Sequence, residues 1–305
     1  MTAKTFEEVA ALWLADKQQY VKKSTYCAYS LLLSNHLIPA FAREHDITEE
    51  LVQDFVLDKL RQGMSRNSVK DMLMVLKMVL NYASKHEYMS EHQIDINFPT
   101  ERRSCQVKVL SRTDQRRLMD HLQANFSFMN LGIYICLSAG LRIGELCALT
   151  WDDLDAESGV VRISKTLQRI YMNDKGHTEV IIGTPKSKNS VREVPLAREI
   201  LKLIKPLKRV VNGSFYVLTN SLHPTEPRAY RNYYNRLMRQ LEMPHLKFHG
   251  LRHSFATRCI ESKCDYKTVS VLLGHSSIST TLNLYVHPDL DQKKKCIERM
   301  FKALM

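Results

Sequence analysis

The chain has 305 residues, a formal net charge of +12 and a hydrophobic content of 44%, enough apolar material for two ordinary domains, each with its own core. The longest apolar stretch, residues 131–149, contains Arg142 and Glu145, charges that a membrane span of about 20 residues would not bury cheaply. No apolar run follows a basic start at the amino terminus, and the seven cysteines show no paired short spacing; the expectation is a soluble, cytoplasmic protein with reduced thiols, no membrane partner, no metal and no cofactor.

The charge is unevenly spread. Residues 1–105 hold 13 Lys and Arg against 14 Asp and Glu, a net of −1, so the rest of the chain carries a net of +13. A basic excess concentrated in one part of a chain points to a polyanion as partner, and nucleic acid is the commonest.

The first hundred residues read as helices. Thr5 followed by Glu8 makes a capping box, after which Phe6, Val9, Ala10, Trp13 and Leu14 recur at helical spacing. A second helix is predicted from Thr25 to about Leu37, stopping near Pro39; a third from Thr48 to about Leu60, ending at Gly63; and a fourth from Ser68, capped with Asp71, placing Val69, Met72, Leu73, Leu76 and Leu80 on one side. These short amphipathic helices make a small bundle whose Met and Leu stripes are core. The segment Asn97–Val107 (NFPTERRSCQV) breaks the pattern with a proline and adjacent charges, so the domains are drawn at 1–97 and 108–305, with 98–107 as linker. Ser111 caps the next helix, and residues 130–149 carry a helical pair. β-Branched runs at Val160–Ile163, Glu179–Ile182 and Val191–Val194 then predict strands, and helical periodicity returns after Pro195. The fold class is mainly α, a helical bundle followed by a mixed α/β domain, mostly helical with a small antiparallel sheet.

Four clusters in the second domain carry chemistry. In Ala139-Gly140-Leu141-Arg142-Ile143-Gly144-Glu145, an arginine in an apolar stretch needs a partner or a task, because a buried charge is costly; Glu145, three residues on, could supply the partner. In Thr184-Pro185-Lys186-Ser187-Lys188-Asn189-Ser190, between predicted strands, a lysine is either a solvated hairpin residue or a donor able to protonate a leaving oxygen. In His249-Gly250-Leu251-Arg252-His253, the three-residue spacing puts His249 and Arg252 on one helix face, where both can address one phosphate. In Leu273-Gly274-His275 through Tyr285-Val286-His287-Pro288, Gly274 ends one helix, a serine of the 276–279 stretch caps the next, and Tyr285 falls about two turns in, as a packing residue or as a nucleophile.

The order Arg, Lys, His-x-x-Arg, His, Tyr resembles the tyrosine recombinase (phage integrase) family, including the integrases of phages and conjugative transposons. The similarity covers nearly the whole chain, and HGLRHSFAT, LLGHSSISTT and LYVHP fall at family-like spacing in the last 60 residues. The resemblance implies a SAM-like core-binding domain at the amino terminus and a catalytic domain behind it. It assigns Arg142 and Arg252 as catalytic arginines, Lys186 as the hairpin lysine with Lys188 as alternative, His249 and His275 as the catalytic histidines, and Tyr285 as nucleophile. Many relatives have Asp where this chain has Gly250, a change expected to be tolerated.

The residue types suit the reaction. Phosphodiester attack builds negative charge on the non-bridging oxygens, which two arginines and a histidine can stabilise without a metal. A histidine can take the phenol's proton, and the lysine can protonate the departing 5′ oxygen. The expected function is therefore a site-specific DNA recombinase or integrase acting through a 3′-phosphotyrosyl intermediate without metal or ATP, integrating and excising a mobile element. Expected partners are double-stranded DNA, contacted in the first domain by Lys22, Lys23, Arg66 and Lys70, and by Lys188; three further copies of the chain, linked through a C-terminal exchange helix at about 290–305; and accessory DNA-bending or excision proteins. Two alternatives are a type IB topoisomerase, which the separate helical domain and tail argue against, and a DNA-binding regulator without catalysis, which the complete catalytic set argues against.

Overall fold

The computed structural model describes residues 4–91, 93–100, 107–172, 176–185, 188–285 and 290–304. They divide into two compact units, residues 1–103 together with 170–179, and residues 104–169 together with 180–305.

In the first unit, α1 (Phe6–Lys17) begins at Thr5, whose hydroxyl accepts from Glu8 N–H while Glu8 takes the Thr5 N–H at 2.9 Å; two donors that a helix start leaves orphaned are thereby satisfied. The second helix does not stop before Pro39. α2 (Lys23–Leu32) runs on through a π-helical turn, Leu33–Leu37, into α3 (Ile38–Phe41). Pro39 sits in the first turn of α3, a place where its missing N–H is tolerated. α4 (Glu49–Arg61) is capped by Thr48. α5 (Arg66–Lys85) starts earlier than its sequence suggested, because Ser65 is the cap: its hydroxyl accepts the Ser68 N–H at 3.1 Å. Phe6, Trp13, Phe41, Val56, Met72 and Leu76 belong to the resulting core.

The second unit opens with α6 (Arg112–Ala124), capped by Ser111, and α7 (Phe128–Ala139), an almost wholly buried helix. Gly140 ends α7 in the left-handed region at φ +65°, and α8 (Ile143–Cys147) follows. The strands β1 (Leu154–Asp155), β2 (Val160–Ile163) and β5 (Arg192–Pro195) form one antiparallel sheet in the order β1-β2-β5, with Val161 opposite Val194. β3 (Thr166–Met172), which the residue pattern did not predict, pairs with β4 (His177–Gly183) in a separate two-stranded ribbon, of which residues 170–179 belong to the first unit. Thereafter come α9 (Arg198–Lys208), α10 (Pro227–Gln240), α11 (His249–Glu261), α12 (Tyr266–Leu273), α13 (Ile278–Tyr285) and α14 (Leu290–Leu304). Gly274, at φ +64°, closes α12 as predicted. On α14, Ile297, Met300, Phe301 and Leu304 are exposed, up to 76% for Leu304. Among the described residues no helix is long and apolar enough to cross a membrane.

Candidate active site

The two left-handed glycines organise the site. A helix that ends in this way turns its last carbonyls away from the axis, and here those carbonyls receive the arginines. Arg252, on α11 and only 2% exposed, donates from Nη1 to Gly140 O at 2.8 Å and from Nη2 to Leu273 O at 2.5 Å. Arg142, just ahead of α8, reaches Gly274 O at 3.3 Å from Nη2. The ends of α7 and α12 thus set the directions of both guanidinium groups. Arg142 lies in the turn after α7, not inside a helix, and its side chain is 36% exposed.

Glu145 is the counter-charge and is itself buried. It accepts from Arg142 Nη1 at 2.7 Å and from the Arg142 backbone N–H at 2.9 Å. Burial alone pushes its carboxyl up, but the hydrogen bonds and charge of Arg192, with those of Arg142, outweigh that and hold it below the ordinary 4.5. Arg142 therefore has an ion-pair partner while part of its side chain still faces solvent. Burial, then repulsion from Arg142, lowers Arg252 to about 9, which leaves it charged at neutral pH.

Three histidines surround the arginines. His249 opens α11; the surrounding protein, then His253 and the two arginines, pull it down to about 4 although the residue as a whole is exposed. His275 follows Gly274, bonds through Nδ1 to Thr281 Oγ1 at 2.9 Å, and is lowered to about 4 by burial and then by Arg252 and Arg142. Both are neutral at pH 7 and can offer an N–H without adding charge. His253 packs edge-on against His249, ring centroids 4.6 Å apart, and its Nδ1 lies 2.5 Å from the Tyr285 hydroxyl. In the tautomer protonated at Nε2, the phenol donates to Nδ1.

Tyr285 is the last residue of α13, packed against the cluster of Phe255, Ala256, Val269 and Leu273. Burial raises its hydroxyl to about 12, while the nearby Arg252 charge pulls the other way. The structure therefore brings Arg142, His249, Arg252, His275 and Tyr285 together within one unit. Lys186 lies outside the described residues, and for Lys188 only the backbone, in a 3-10 turn, is described.

Reading the residues alone missed four contributors. The residue pattern assigns no role to His253, to Thr281, which bonds His275, to Arg192, or to the arginines of α10. That helix exposes Arg228, Arg231, Arg236 and Arg239 on the side opposite its buried Tyr230, Tyr234, Leu237 and Met238, and contains no acidic residue. Of the DNA contacts expected in the first unit, Lys23 pairs with Glu179 at 2.9 Å. Arg66 and Lys70 both lie over the Phe98 ring, at 4.8 and 5.5 Å, and Arg66 also donates to Pro99 O. Lys22 occupies the position ahead of α2. At Gly250, a Cβ atom would meet Leu246 Cδ1 and Cγ at 2.4 Å, so the space that a side chain needs is already filled.

A hydroxyl held by a neutral histidine, beside two oriented guanidinium groups, is equipped for nucleophilic attack on a phosphodiester. The chain belongs to the phage integrase family, whose description matches residues 108–292, and the N-terminal SAM-like domain of phage integrases matches residues 5–60. It is similar to the tyrosine recombinase XerC-like protein of Caldanaerobacter subterraneus, 27% identical over 273 residues covering 82% of this chain and 69% of that one. It is also similar to the ICEBs1 integrase of Bacillus subtilis, 21% identical over 97% of this chain and 82% of that one. A solved structure of the Tn1549 transposon integrase in complex with a circular intermediate DNA shares the fold, with a TM-score of 0.79 at 21% identity, covering 98% of this chain and 100% of that one.

Proposed function

We propose that this member of the phage integrase family cuts and rejoins double-stranded DNA at a specific site, with Tyr285 as nucleophile, and thereby integrates and excises a mobile element. The observation that carries the reading is the Tyr285 hydroxyl on His253 Nδ1 at 2.5 Å, beside Arg252. Tyr285 Oη attacks phosphorus, the P–O5′ bond breaks, and a 3′-phosphotyrosyl bond forms. His253 accepts the phenol's proton, and a lysine between β4 and β5, Lys186 or Lys188, supplies a proton to the departing 5′ oxygen. Arg142 and Arg252 stabilise the charge on the non-bridging oxygens, and the neutral His249 and His275 add hydrogen bonds. Guanidinium groups do the work that a metal ion does elsewhere, and the phosphotyrosyl bond conserves the energy of the broken linkage, so neither metal nor ATP enters the scheme.

The arginine face of α10 supports a DNA partner, since exposed arginines with no intervening acid favour phosphate contact. Lys22, Lys23, Arg66, Lys70 and Lys188 remain proposed contacts. The exposed apolar residues of α14 fit a second copy of the chain, and a ring of four on DNA is the assembly proposed. The integrases of mobile elements among the similar proteins favour that role.

The test is covalent capture. The chain is incubated with a library of randomised duplexes, each nicked so that a short 5′-hydroxyl fragment diffuses away after cleavage; denaturant-resistant complexes are recovered and sequenced. Adducts converging on one sequence are expected, and none with Tyr285→Phe. Absence of any adduct, or its persistence in Tyr285→Phe, overturns the proposal.

A further inference from the structure

Arg192 lies on β5, outside the set of residues that would touch the phosphate, yet it is the most heavily bonded arginine of the site. Its side chain is 4% exposed. Nη1 and Nη2 grip Glu145 Oε1 and Oε2 at 3.1 and 3.0 Å, Nη1 also donates to Ser190 O at 3.0 Å, and Nε donates to Leu272 O at 2.7 Å. Those contacts join three pieces of chain: the turn just ahead of β5, the last turn of α12 ahead of His275, and the carboxylate that holds Arg142. Gly274 is fitted against the same group, since a Cβ there would lie 3.1 Å from Arg192 Cδ and 2.8 Å from Asn189 O.

We infer that Arg192 is a positioning residue for Arg142, acting through the shared carboxylate of Glu145; the inference rests on the recombinase reading above. One negative charge serves two guanidinium groups. Arg192 holds it in the paired, planar geometry that a carboxylate and an arginine favour, whereas Arg142 takes Oε1 from one end only. Two consequences follow for the phosphate. The Glu145 rotamer is locked, so Arg142 is aimed by a fixed support, and the charge of Glu145 is divided, so Arg142 keeps part of its own for the transition state. Without Arg192, Glu145 pairs with Arg142 alone, free to draw it from the phosphate. A lysine does not substitute, because a point charge cannot span two carboxylate oxygens and two carbonyls.

A purely structural ion pair would produce the same geometry, so the test separates the two roles by the charge of the substrate. The probe is the nicked duplex recovered by covalent capture, made with either an ordinary scissile phosphate or a methylphosphonate, whose methyl group replaces a charged non-bridging oxygen. Single-turnover adduct formation is measured for the parent chain, Arg192→Lys, Arg192→Gln and the double variant Arg192→Gln/Glu145→Gln, which leaves no unpaired buried ion. On the ordinary phosphate the Arg192 variants are expected to lose roughly 100-fold in rate, the order that a misplacement of about 1 Å produces, with DNA affinity unchanged. On the methylphosphonate, which lacks the charge of one non-bridging oxygen and so leaves less for Arg142 to meet, the loss shrinks to less than about tenfold by the same reasoning. A rate equal to the parent's, or an equal loss on both substrates in the double variant, overturns the assignment. No adduct from the parent chain overturns the proposed function instead, and this inference with it.

Discussion

Removing Glu145 tests the electrostatic frame of the site directly. In Glu145→Ala, Arg192 keeps Ser190 O and Leu272 O as acceptors but loses its only counter-charge among the described residues, while remaining 4% exposed. Breaking a buried pair from one side costs about 3–5 kcal/mol, because an uncompensated charge stays buried. Arg142 adds less than about 1 kcal/mol, since its side chain is 36% exposed and water screens what it loses. For a unit of this size the cost corresponds to a melting temperature lower by about 6–20 °C. The chain has two tryptophans, Trp13 in the first core and Trp151 in the second. Urea unfolding in a Trp13→Phe background, followed through Trp151, therefore reports the catalytic unit alone. The acid limb gives a second check. The folded carboxyl of Glu145 lies below the ordinary 4.5, so its contribution is complete above that value and is lost as the pH falls through the lower folded one. Glu145→Gln should lack that part of the acid loss. A cost below about 1 kcal/mol for Glu145→Ala, or identical acid limbs for the parent and Glu145→Gln, would refute the reasoning, since the expected penalty is several-fold larger.

Three other outcomes are expected. Gly250→Asp places a side chain where Leu246 already sits at 2.4 Å; it should cost about 1–3 kcal/mol by urea unfolding, with part recovered on adding Leu246→Ala. His249 and His275, both lowered from 6.5 to about 4, should show imidazole NMR titrations with midpoints well below that of an unfolded histidine. Because the unfolded chain takes up those protons first, stability should fall as the pH drops from 6.5 toward 4; ordinary midpoints near 6.5 would contradict the site geometry. Arg231→Ala and Arg236→Ala on α10 should each weaken binding to a random-sequence duplex and reduce the salt slope by about 1; an unchanged slope would remove that helix from the DNA face.

What the sequence made legible is local. The Thr5–Glu8 box, the Ser111 cap, the Gly274 stop and the 249–252 pair each depend on residues three or four apart, a range within which the chain's periodicity speaks for itself. Pro39 misled because a proline ordinarily ends a helix, and the π-helical turn before it leaves no mark in composition. The fourth helix was misplaced by one turn because Ser65 and Ser68 both have a capping hydroxyl. Long-range pairing was the real gap. Arg192 meets a carboxylate 47 positions away and His253 meets Tyr285 at 32; neither separation has a pattern that a linear reading could detect. The arginines of α10 were hidden for another reason, being interleaved with tyrosines and asparagines whose burial only the fold reveals.

The same separation explains how the site holds so much positive charge. Arg142 and Arg192 share one buried glutamate, Arg252 is held by carbonyls, and the three histidines are all shifted toward neutrality by burial and by nearby arginines. Two of the arginines are aimed by carbonyls at the ends of α7 and α12, dipoles that orient a cation without cancelling it. More acids would have relaxed the repulsion but removed the charge that a phosphate needs. The neutral histidines limit the repulsion instead, each keeping one N–H donor. Under the proposed mechanism the raised Tyr285 hydroxyl, at about 12, is a resting condition: an entering phosphate would compensate the arginines, let a histidine accept a proton at lower cost, and so couple arrival of the substrate to activation of the nucleophile.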